Sequence, residues 1–193
     1  MKLLNERKEY LRIFDKRIYE ILLNYSFSYF FNNIWNFLSN SYHNLEDIIQ
    51  NRIIKLRMEL NLNLSLLIFN NRRDMNDINI IPIVEKLHQM EKSNEIEKKM
   101  RNLSEAVEMN KSESNEETVS YIILAIVVGG LKHTITHSAL LYIYINTILG
   151  NNHFTNNITN NITNNCIGNN CDGLENIKEN LNIFNSAISF LLE

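Results

Sequence analysis

The chain has 193 residues, 45% of them hydrophobic, with 19 Lys and Arg against 22 Asp and Glu and a formal net charge of −3. That length suits one ordinary domain with appendages, and that apolar share can fill a sizeable core. The faintly acidic balance excludes the basic domain of a typical nucleic-acid binder, and two cysteines in one polar stretch, Cys166 and Cys171, do not make a zinc-ligand set.

Residues 1–20 mix six basic side chains (Lys2, Arg7, Lys8, Arg12, Lys16, Arg17) with acids and a few apolar residues. The charges interrupt any apolar run a secretory signal would need. Residues 21–42 then carry no charged side chain: ILLNYSFSYFFNNIWNFLSNSY. The length is enough to span a bilayer, but the Asn and Ser side chains make spanning costly, because each needs a hydrogen-bond partner in lipid. Aromatic residues favour the membrane–water boundary, so Tyr25, Phe27, Tyr29, Phe30, Phe31, Trp35 and Phe37 are the candidate membrane-interface residues. Three readings stand for this segment: a core helix, an interfacial helix or a transmembrane helix.

From Ile54 to Ile68 apolar residues occupy every even position (Ile54, Leu56, Met58, Leu60, Leu62, Leu64, Leu66, Ile68) with mostly polar residues between them. Strict alternation predicts a strand over about 53–69, ended by a turn at Asn70–Asp74. Helices follow. Pro82 suits a first helical turn, with Val84, Leu87 and Met90 on one face. Ser93 and Asn94 are capping residues for a second helix, in which Ile96, Met100, Leu103 and Val107 repeat at helical spacing. Glu95, Glu97, Lys98, Lys99, Arg101, Glu105 and Glu108 read as its solvated face.

KSESNEE (111–117) is a hydrophilic linker. The run TVSYIILAIVV, closed by Gly129 and Gly130, predicts a buried central strand, since strands covered on both faces are continuously apolar. Ser138 then caps a helix that Gly150 terminates. A membrane hairpin over 119–149 is the competing reading. Residues 151–173, with NNIT repeated, predict a disordered Asn-rich insertion. Phe184, Ile188, Phe190 and Leu192 share one parity and predict a closing strand over about 183–192.

The expected fold is therefore α+β: a small β-α-β-α-β sheet with helices packed on it over 51–193, preceded by an aromatic amphipathic helical segment over 1–50 that can serve as a membrane-interface anchor. No nucleophile elbow, phosphate-binding loop or metalloprotease motif is present. His133 and His137 lie four apart without an acid or thiol nearby and read as polar turn residues. The expectation is no catalytic residue, no cofactor, no metal and no small-molecule substrate.

The stretches KLRMELNLNLSLL (55–67), VSYIILAIVV (119–128), ALLYIYINTILG (139–150) and IFNSAISFLLE (183–193) resemble, in apolar pattern, a cyanobacterial and plastid family of unknown function that includes the fluctuating-light-acclimation protein of plants. The resemblance implies a non-enzymatic, membrane-associated protein of regulatory character in a plastid-type organelle. The alternatives are a soluble, cytoplasmic protein-interaction module and an integral membrane protein with helices near 21–42 and 119–149. The expected partners are a membrane surface or a protein, not nucleic acid.

Overall fold

A computed structural model describes residues 2–68, 80–109, 111–112, 114–159 and 171–193, with side chains described over 18–19, 21–59, 80–109, 111–112, 114–148 and 176–193. Every element among them is an α-helix: α1 (Lys2–Ile68), α2 (Ile81–Lys92), α3 (Ile96–Glu108), α4 (Asn115–Gly129), α5 (Thr134–Thr159) and α6 (Cys171–Leu192). The expected α+β class is thus replaced by an all-α fold, and each of the three expected strands is a helix.

The reason differs from strand to strand. On a helix, a step of two residues turns about 200°, so an even-numbered ladder spreads around the circumference. Leu56 of that ladder is buried, while Ile54 and Met58 face solvent. The pattern that decided the backbone lies upstream. Phe27, Phe31, Leu38, Ile49, Ile53 and Leu56 are buried at three- and four-residue multiples, a helical stripe that runs into the ladder and carries it along. Residues 60–68 are helical in backbone, and their side chains lie outside the description.

The 119–128 run is apolar all round because α4 is enclosed, not because it lies in a sheet. Tyr121 through Val127 are all buried, and α4 packs against α2, α6 and α1. A short buried run has the same composition in either geometry. Helix length is settled by its ends, Glu116 and Glu117 in the first turn and Gly130 after the last. Gly130 takes a left-handed φ of 64°, and the N–H groups of Gly130 and Leu131 both donate to Ile126 O, at 2.9 and 3.2 Å. In α6 the burying stripe is Leu181, Phe184, Ile188 and Leu191, steps of three and four, whereas Phe190 and Leu192 of the expected strand are exposed.

The helices expected over 80–109 form as α2 and α3. Ile96, Met100, Leu103 and Val107 are buried together; in α2 the buried residues are Ile83, Leu87 and Met90, with Val84 at their edge. Ser138 is not a cap: α5 begins at Thr134 and runs on through Gly150. The helical parts of the expected disordered insertion, 151–159 and 171–173, continue α5 and open α6; 160–170 lie outside the described residues. So does the Asn70–Asp74 turn.

α1 packs on α5, α4, α6 and α3, and α2 pairs with α3. α4 and α5, joined only by residues 130–133, are not a packed pair. Their short link is instead held by side chains from α1 and α2, and that junction is where the polar chemistry of the molecule gathers.

Candidate functional site: a capped polar junction beneath an aromatic helix

Helix ends leave backbone N–H and C=O groups without partners inside the helix, and here other helices supply them. Glu46 of α1, although buried, points its carboxylate at the start of α5. Its Oε1 accepts from Thr136 N–H at 2.8 Å and from the Thr136 hydroxyl at 3.0 Å, and its Oε2 lies 3.4 Å from Thr134 Oγ1. An anion against a helix N-terminus is favourable on both hydrogen-bonding and dipole grounds. One helical turn further along α1, Gln50 Nε2 donates to Leu131 O at 2.7 Å. Two turns beyond that, Arg57 Nε donates to Val127 O at 2.7 Å and Nη2 donates to Val128 O, satisfying the end of α4. The positive φ favours glycine at 130, and a Cβ there would lie 2.8 Å from that guanidinium, so Arg57 would also have to shift. Lys132 N–H donates to Glu91 Oε1 at 2.7 Å, and Glu91 Oε2 is 3.3 Å from His88 Nδ1.

At the centre of the junction lies Lys99 of α3, expected on a solvated face but only 1% exposed. Its ammonium reaches the end of α2, donating to Met90 O at 2.9 Å and Glu91 O at 3.4 Å, and it lies 3.2 Å from His137 Nδ1. Three protons thus meet three acceptors, which is how a buried ammonium is tolerated. Phe31 and Trp35 complete the cage, with ring centroids 5.7 and 5.3 Å from Nζ. Burial lowers the Lys99 pKa to about 8, with the Glu91 carboxylate opposing that fall.

His137 is fully buried. Because Nδ1 accepts from Lys99, the neutral ring carries its proton on Nε2, and Nε2 meets no hydrogen-bond partner among the described residues. The ring lies 4.7 Å from Trp35, centroid to centroid. Burial, then the Lys99 charge, then His133 hold its pKa well below 6.5. His133 is exposed, has a left-handed φ of 54°, and its ring lies 5.7 Å from Trp35, centroid to centroid.

The seven aromatic residues singled out on α1 separate into two groups. Phe27 and Phe31 are buried, Phe27 edge-on to Tyr144 at 5.0 Å, and Trp35 is half-buried over Lys99 and His137. Tyr25, Tyr29, Phe30 and Phe37 are exposed, Tyr25 and Tyr29 at 68% and 72%. Taking about 100° per residue, Ile18, Leu22, Tyr25 and Tyr29 fall within about 60° of one another, and Phe27, Phe31, Ile34 and Leu38 form an equally narrow stripe about 180° away. α1 is therefore apolar on two opposite faces, one packed and one open. Tyr25 and Tyr29 stack at 6.4 Å on the open face, and Phe30 abuts Tyr29 at 4.9 Å.

Among the described residues no group of three or more His, Cys, Asp or Glu side chains is placed to hold a metal, and no helix is long and apolar enough to cross a membrane. His43 pairs with Asp47 on the surface. The side chains of His153, Cys166 and Cys171, and the Arg72-Arg73-Asp74 stretch, lie outside the description. Sequence reasoning missed Glu46, Arg57 and Lys99. The signal for two of them was present: Glu46 falls in the stripe with Ile49 and Ile53, and Lys99 in the stripe with Ile96, Met100 and Leu103. A charge on an apolar stripe marks a buried cap.

No protein-family model, no curated protein and no solved structure matches this chain.

Proposed function

We propose that the protein is a non-enzymatic, membrane-associated helical protein that lies on a lipid surface through the open face of α1. The observation that carries this reading is the exposed stripe Ile18, Leu22, Tyr25 and Tyr29, with exposed Ile21 beside it, set opposite a face already used by the core. An apolar, tyrosine-bearing stripe that the fold itself does not consume suits the boundary between headgroups and acyl chains. Six basic residues against three acids (Glu6, Glu9, Asp15) precede it in sequence, a basic excess that favours an anionic surface. The helix lies along the surface in this reading and does not cross. The compartment named by the family resemblance, a plastid-type organelle, is the membrane proposed.

Flotation of the full chain with vesicles of phosphatidylcholine and phosphatidylglycerol tests it. The wild type is expected to float, and the variant carrying Leu22→Ser, Tyr25→Ser and Tyr29→Ser to remain at the bottom. Wild-type protein left unfloated would end the membrane reading. The second reading, docking on another protein, draws on the amides Asn32, Asn33, Asn36 and Asn40 that succeed the stripe and suit hydrogen-bonded recognition. It would be favoured by a wild type that ignores vesicles yet retains a partner the triple variant loses.

A further inference from the structure

His137 has one ring nitrogen committed and the other sealed. It is faced by Lys99 from α3, by Trp35 from α1 with Phe31 behind it, and by His133 from its own turn. Around that shell, Glu91 of α2 is spent on the Lys132 amide and His88, Glu46 of α1 on Thr134 and Thr136, and Asn185 of α6 on the neighbouring Ser138 hydroxyl. No carboxylate among the described residues hydrogen-bonds His137. A second ring proton would have to occupy Nδ1, where Lys99 now donates, and would place two cations 3.2 Å apart in a dry site.

We propose that His137 is an acid-sensitive latch whose protonation frees the Phe27–Leu38 stretch of α1 from α3 and α5, adding its buried aromatic face to the open one. The latch regulates the docking face, so its purpose rests on the membrane reading above, while its mechanism does not. Local opening exposes the ring to water, where it titrates near the ordinary 6.5, whereas the closed site holds it well below that. Below 6.5 the open state takes the proton in preference to the closed one, so the opening equilibrium grows by up to about tenfold per pH unit, and by up to about thirtyfold at about pH 5.

Amide hydrogen exchange on the lipid-free full chain at about pH 7.5 and about pH 5, corrected for intrinsic exchange rates, reads this directly. Protection over residues 27–38 and 134–141 is expected to fall by about tenfold to about thirtyfold in the wild type. The fall is expected to be within about threefold in His137→Asn, whose Oδ1 can accept from Lys99 as Nδ1 does. Lys99→Met, which removes the competing cation, is a second variant and is expected to show a smaller fall than the wild type. His133→Asn keeps a residue suited to positive φ and is expected to show the full fall. Equal wild-type protection at the two pH values, or an undiminished fall in His137→Asn, would overturn the latch, as would a fall in Lys99→Met as large as that of the wild type. Loss of the latch with flotation intact at about pH 7.5 leaves the membrane reading standing, and the reverse result leaves only the latch.

Discussion

Two stretches of this chain look alike as text and end up in opposite circumstances. Residues 21–42 and 118–131 are both free of charged side chains. In α4 the apolar atoms are used up: Tyr121 through Val127 are buried, and neighbouring helices close around them. In α1 only about half are used. Phe27, Phe31 and Leu38 enter the core while Ile21, Leu22, Tyr25 and Tyr29 remain in water. The lesson is that apolar content reports how much surface could be hidden, and the arrangement of neighbours decides how much is. What is left over on α1 is the surface proposed to bind.

The contrast is open to direct attack. Its largest expected consequence is in α4. Ile126→Ala removes a fully buried side chain from an enclosed helix and is expected to cost about 3 kcal/mol in urea unfolding; a loss below about 1 kcal/mol would mean that α4 is not enclosed. The next effect belongs to the seam between the regions, where Trp35 of α1 covers Lys99. Folded Lys99 releases its proton near pH 8 and unfolded lysine near 10.5. Between those values the unfolded chain binds more protons, so stability rises with pH there, by about 3 kcal/mol for a shift of this size. Subtracting the profile of Lys99→Met, which lacks the titration, isolates the rise; superimposable profiles would show that the ammonium is not buried. The smallest effect is expected on the open face. Tyr25→Ser with Tyr29→Ser should alter unfolding free energy by less than about 0.5 kcal/mol, since neither ring is packed in the core. A larger loss would put that face inside the fold and remove it as a docking surface.

The helical hairpin α2–α3 was legible in the sequence because Ile96, Met100, Leu103 and Val107 repeat at an unambiguous spacing and Pro82 marks a start. The three expected strands failed for separable reasons. The ladder at 54–68 alternates, but the hydrophobic stripe that precedes it already commits the backbone to a helix. The 119–128 run is uniform, so no period exists to choose between an enclosed helix and an enclosed strand. The final segment offers both a parity pattern and a stripe of Leu181, Phe184, Ile188 and Leu191, and the longer stripe won. The polar junction was hidden for another reason: its partners are far apart in the chain. Glu46 meets Thr136 across 90 positions and Lys99 meets His137 across 38, and no local pattern announces such pairs. The open aromatic face was half visible. Its residue types stand out in the sequence, but which of them face outward depends on where the packed stripe runs.

Glu46, Gln50 and Arg57 lie within a few turns of one helix, and each serves backbone that comes 70 or more residues later. A ribosome makes the chain in that order. The three clasps are therefore made well before the 127–136 segment that they fasten.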